Sequence, residues 1–151
     1  MLSSSPVIHQ GAVTLVCIAL CAPIFTSASE TVFICPKEYS SSSLHVTRER
    51  DGWISTLPPT FILNSAGIME GPVEERGILK PEPQTFKDRY EEIYVGLGGH
   101  PTYETWVWCA YGVGNDIMLV KPLAQAIKRC VVTYRPSRVP KQFKVDRISC
   151  T

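Results

Sequence analysis

No Lys, Arg, Asp or Glu occurs among the first 28 of the 151 residues. That gap sets an apolar head apart from a charged body of about 120 residues, the length of one domain. An excess of either charge is also missing: 15 Lys and Arg stand against 14 Asp and Glu, for a formal net charge of +1. A nucleic-acid binder needs a basic stripe to neutralise phosphates, so that class is excluded. Histidine is scarce, with three in the chain. His45 and His100, the two in the body, are isolated, which leaves nucleophilic catalysis without a base in an oriented set. Among the four cysteines of the body, Cys35, Cys109, Cys130 and Cys150, no pair has the two-to-four residue gap of a zinc knuckle. Gly96-Leu97-Gly98-Gly99 lacks the Lys and Ser/Thr that follow in a phosphate loop, and reads as a turn. The sequence therefore predicts a non-enzymatic protein with no metal and no cofactor. Disorder is excluded by what is present: 44% hydrophobic residues, including three Trp, six Tyr and five Phe, carry enough apolar area to offset ordering entropy.

The apolar run Gly11–Phe25, interrupted by Thr14, is 15 residues long. As a helix it spans roughly 22 Å at ~1.5 Å per residue, short of the ~30 Å a resident membrane helix crosses. Small residues follow in Thr26-Ser27-Ala28, so residues 1–28 read as a signal peptide cleaved after Ala28, and 29–151 as a single β-rich exported domain in the periplasm or outside the cell. Only an uncleaved signal would bring the chain to a membrane. Cys17 and Cys21 follow the large residues Val16 and Leu20, where lipid attachment needs a small one.

Without its leader the chain keeps four cysteines, Cys35, Cys109, Cys130 and Cys150, an even count that predicts two disulfides in an oxidising compartment. The runs Arg129–Arg135 and Phe143–Cys150 flank a loop rich in turn formers near Pro140. A hairpin centred there pairs residues whose numbers add to 280, and so places Cys130 opposite Cys150. A meander of 106–111, 117–120 and 130–134 would separate Cys109 from Cys130 by two strand spacings, roughly 9 to 10 Å, beyond bridging distance. Cys35 is then left for Cys109. Closed loops of about 21 and 75 residues contribute roughly 3 and 4.5 kcal/mol in the chain-entropy treatment.

The body is rich in strand and turn signals. Thr31–Cys35 reads as a first strand stopped by Pro36. Leu44-His45-Val46 alternates, Trp53–Leu57 reads as a short edge strand, and 61–69 as a strand with a central kink. Residues 73–83 read as a loop. Phe86, Tyr90, Ile93 and Tyr94 fit helical spacing, while 92–97 fits a strand, so a short helix over 85–92 stays open. Thr105–Tyr111 is apolar on both faces and belongs in the middle of a sheet. Gly112–Asp116 is a turn into a returning strand, Ile117–Val120, and Pro122–Lys128 has the pattern of a helical turn or two. The fold class is mainly β: a small antiparallel, sandwich-like domain with one or two short helices, held by disulfides.

Function then falls to surfaces. Glu70, Glu74 and Glu75 beside Gly71-Pro72 form an acidic loop, and with Trp53 they are the candidate binding residues for a basic partner surface. The basic residues Arg129, Arg135, Arg138, Lys141, Lys144 and Arg147 spread over the last hairpin, which offers the alternative of an envelope-associated structural or stress protein contacting membrane or peptidoglycan. His100, between Gly99 and Pro101, reads as a turn residue, and His45 as a solvent-facing one. Cys109 lies too deep in its strand to be a reactive thiolate and reads as a disulfide partner.

Three stretches carry a resemblance. Ser65–Glu75, with Ala66-Gly67 followed by Gly71-Pro72-Val73-Glu74-Glu75, precedes Leu79-Lys80-Pro81 and the strand Trp106-Val107-Trp108-Cys109-Ala110-Tyr111-Gly112. With Cys35-Pro36 before them and Cys130 and Cys150 after, they resemble a family of small, uncharacterised exported proteins of Gram-negative bacteria, some of which lie near type VI secretion clusters. The resemblance implies an immunity-like or inhibitor role, binding another periplasmic protein such as a cell-wall hydrolase or toxin. It carries over no catalytic residue. The chain departs from the family pattern in its long segment Glu82–Tyr103.

Overall fold

The computed structural model describes residues 29–45, 52, 54, 56–100, 102–139 and 142–151. Residues 1–28, expected as a signal peptide, and Trp53 lie outside these. In chain order the strands are β1 (Thr31–Phe33), β2 (Glu38–Ser40), β3 (Thr60–Glu70), β4 (Glu82–Thr85), β5 (Tyr90–Val95), β6 (Thr105–Tyr111), β7 (Ile117–Pro122), β8 (Arg129–Pro136) and β9 (Phe143–Cys150). They form two antiparallel sheets, ordered β1-β9-β8-β5-β4 and β2-β3-β6-β7. Mainly β is therefore the fold class, as expected.

The central strand and its return are where the sequence placed them: β6 is flanked by β3 and β7. The expected kink in β3 is a register shift between Leu63 and Ser65. The β8–β9 hairpin pairs Cys130 with Cys150, Val132 with Ile148 and Thr133 with Arg147, then slips by one residue after Thr133. Arg129 and Thr151 exchange both backbone bonds, at 3.0 and 2.9 Å. The next pair, Cys130 and Cys150, is therefore the narrow kind that shares no backbone bond. It is bridged with a Cα separation of 4.1 Å. Cys35 and Cys109 are joined at 5.9 Å.

Several expectations need correcting. The meander does not form. After Pro122 the chain leaves the four-stranded sheet, and β8 belongs to the other one. Cys109 and Cys130 are thus kept apart by a change of sheet and not by two strand spacings within one. Residues 85–92 hold no helix. Phe86 N–H donates to Arg89 O at 2.8 Å, closing a tight turn between β4 and β5. Alternation in Tyr90-Glu91-Glu92-Ile93-Tyr94 overrides the helical spacing, because Tyr90 and Tyr94 find Tyr134 and Cys130 opposite them on β8. Residues 122–128 hold no helix either. Leu123 N–H bonds Thr105 O at 2.8 Å and its side chain is buried, which makes the segment a bend between sheets. The short helical elements are instead 3₁₀ turns at Ser41–Ser43 and Val73–Glu75, the second inside the expected loop. Leu44, His45, Ile54, Thr56 and Leu57 are outside any strand.

The core lies between the sheets. Ala66, Ile68 and Val107 meet Tyr94, Cys130, Val132, Tyr134, Ile148 and Cys150. Alternation along β6 sends Trp108 and Ala110 to the opposite face, where they and Met69 are covered by Val73, Trp106, Met118 and Val120. Residues 71–79 close over that side. Trp106 Nε1 donates to Gly71 O at 3.1 Å, and Leu79 N–H donates to Ile68 O at 3.0 Å.

Candidate functional site

The three carboxylates of the acidic stretch do not act together. Glu70 ends β3 half-buried, and its Oε1 accepts from Gly98 N–H at 3.3 Å and from Thr105 Oγ1 at 3.4 Å. It braces β3 to the turn before β6 and to β6 itself. Glu74 and Glu75 are exposed on the 3₁₀ turn. Backbone bonds hold that turn from both sides. Gly71 N–H reaches Glu104 O at 3.0 Å, and Glu70 N–H reaches Gly77 O at 3.0 Å. Gly71 takes φ +92°, where a side chain would be strained, and so lets β3 break into the turn. The result is a short, braced projection with two carboxylates at its tip. Trp53 is outside the described residues.

The other singled-out residues resolve simply. His100 stacks on Tyr103 with ring centroids 4.1 Å apart, and its Nδ1 is 2.9 Å from Thr102 Oγ1, so it orders its own turn. His45 is exposed. On the basic hairpin Arg135 Nε pairs with Asp146 at 3.1 Å, which neutralises part of the expected positive face. Among the described residues there is no metal-binding cluster of His, Cys, Asp or Glu, and no helix long and apolar enough to cross a membrane.

A second arrangement was not anticipated. Tyr90, Glu92 and Tyr94 share the inner face of β5, level with Tyr134, Val132 and Cys130 of β8. Tyr134 places its hydroxyl 2.9 Å from Glu92 Oε2 and 3.1 Å from Ala66 O. Tyr94 donates to the same Oε2 at 3.4 Å, and Tyr90 donates to Oε1 at 3.3 Å. Burial first, and the Glu92 charge second, push the hydroxyls of Tyr94 and Tyr134 well above the ordinary phenol range. They act as donors throughout the physiological range. Beside them opens a depression of about 410 Å³ lined by Ser65, Thr85, Tyr90, Glu92, Tyr134 and Phe143. The signal in the sequence was Tyr-x-Glu-x-Tyr, a carboxylate on the apolar face of a strand, hidden while the segment could be read as a helix.

The two-sheet, disulfide-held scaffold thus displays a braced acidic turn and an aromatic-walled recess. Residues 58–151 match the family of type VI secretion system Tli immunity proteins, and the chain belongs to that family. It is an immunity-like, protein-binding protein, and the partner its family implies is an effector. No curated protein and no solved structure matches the chain. Glu70, Glu74, Glu75 and the Glu92 recess lie within the matched stretch, while Cys35, β1 and β2 precede it.

Proposed function

We propose that the chain is exported, loses residues 1–28, and in the periplasm binds and neutralises a toxic effector that acts on the cell envelope, touching it through Glu74 and Glu75. Family membership over 58–151 is the observation that carries this reading. Two disulfides support the oxidising compartment. The braced 3₁₀ turn supports the contact, because exposed carboxylates on a fixed loop meet a basic surface without an ordering cost at the tip. Neutralisation then follows from occlusion or locking of the effector and needs no chemistry from this chain.

The test is a binding titration of the mature chain with the type VI effectors of the producing strain, by calorimetry and by association kinetics at two salt concentrations. One effector is expected to form a stoichiometric complex. Glu74→Lys with Glu75→Lys is expected to slow association at least tenfold at low salt and leave the melting temperature unchanged, as charge reversal at a solvated rim does. Failure of every effector to bind overturns the function, and an unaltered rate in the double variant overturns the contact.

A further inference from the structure

Glu92 and Glu91 are neighbours with opposite circumstances. Glu91 faces outward and has a cation, Arg89 Nε, at 2.6 Å. Glu92 faces the core side of β5, with Val132 opposite it on β8 and Pro83 on β4. Among the described residues ion pairs join Arg89 to Asp88 and Glu91 and Arg135 to Asp146, and none reaches Glu92. Its hydrogen bonds come from neutral hydroxyls. Two of the three are 3.3 and 3.4 Å long, and the proton of Tyr134 is divided with Ala66 O. Such donors satisfy lone pairs and leave the charge uncompensated in a half-buried place, which costs more than the same charge with a cation beside it.

The recess in front of this carboxylate has the form that a cation fits. Tyr90 lines it, 5.5 Å from the Tyr134 ring and 6.2 Å from the Phe143 ring at interplanar angles of 49° and 54°, so the three rings form one contiguous aromatic wall. An aromatic wall beside a carboxylate attracts a cation through ring quadrupoles and a full charge together. We infer that this recess is a socket for an arginine side chain of the partner protein, with the guanidinium against the aromatic wall and paired with Glu92. Arginine is preferred to lysine because its planar guanidinium stacks on aromatic faces and is less strongly hydrated. Ser65 from β3 and Thr85 from β4 complete the walls. The inference rests on the proposed function only for the source of the side chain. The socket itself is a property of this chain.

The first measurement therefore omits the effector. The mature protein is titrated with Nα-acetyl-arginine amide, Nα-acetyl-lysine amide and the uncharged citrulline analogue while the aromatic side-chain resonances are followed by NMR. Saturable shifts of Tyr90, Tyr134 and Phe143 with the arginine amide are expected, weaker ones with lysine and none with citrulline. Glu92→Gln is expected to weaken the arginine response at least tenfold. Phe143→Leu, on a rim residue 43% exposed and so tolerant of change, is expected to weaken it several-fold. Absence of saturable shifts, an equal response to citrulline, lysine binding as tight as arginine, or an undiminished response in Glu92→Gln each overturn the assignment. In the effector titration, Glu92→Gln at wild-type affinity overturns the socket and leaves the proposed function standing. No effector complex at all, with the arginine response intact, removes the proposed function and leaves the socket.

Discussion

The two disulfides restrain different parts of the molecule. Cys130–Cys150 bridges facing residues of adjacent, fully paired strands and closes 20 residues of chain. Cys35–Cys109 closes 74 residues, and one of its cysteines sits in the crossover from β1 to β2, strands of three residues each in different sheets. The first bond reinforces a hairpin that its ladder already specifies. The second attaches a segment that has little else: Ile34 and Val32 are exposed, and Cys35 is the buried point of the crossover. It also ties the stretch before residue 58 to β6 inside the family-matched body. A staple matters most where local pairing is weakest and the closed loop longest.

The largest effect therefore belongs to the longer loop. Replacing Cys35 and Cys109 together by Ala is expected to remove about 4.5 kcal/mol from unfolding in denaturant and to release amide protection in β1 and β2 before the rest. Replacing Cys130 and Cys150 together is expected to cost less, about 3 kcal/mol, with protection in β8 and β9 lost only at global unfolding. Equal losses, or the reverse order, mean that the crossover is held by its other contacts.

The same contrast governs what was legible in the sequence. The Cys130–Cys150 bridge could be read because both cysteines lie on one hairpin, where turn position fixes register. Cys35–Cys109 followed by elimination, and the premise used was a meander that the change of sheet after Pro122 dissolves. β6 was legible from its two apolar faces, and the break in β3 from Asn64-Ser65. The β4–β5 hairpin was not, because its partner β8 lies some forty residues downstream, and local spacing alone fits helix and strand equally. Site residues divide in the same way. Glu74 and Glu75 are exposed, as an acidic turn suggests, whereas Glu70 is drawn inward by Gly98 and Thr105, residues distant in sequence. Glu92 needed the strand assignment before its side could be known.

A smaller effect is expected at a place where the fold holds without a covalent bond. Gly67 lies on β3 opposite Trp108, next to the edge where Tyr134 and Leu79 reach the carbonyls of Ala66 and Ile68. A Cβ there would stand 2.6 Å from the Trp108 ring and 2.7 Å from the Tyr94 hydroxyl, so both must shift. Trp108 is buried against Met69 and Ala110, and Tyr94 is tied to Glu92, which leaves neither free to yield. Gly67→Ala is accordingly expected to destabilise by about 1–3 kcal/mol, the usual cost of overpacking. It should do so with both disulfides formed, since neither ring that must move belongs to a bridged residue. The displaced Tyr94 hydroxyl would also disturb the carboxylate it serves. A loss of stability accompanied by shifted Tyr90 and Tyr134 resonances would show that close packing at β3 also sets the geometry of the recess, while a neutral substitution would mean that the two sheets can part locally without cost.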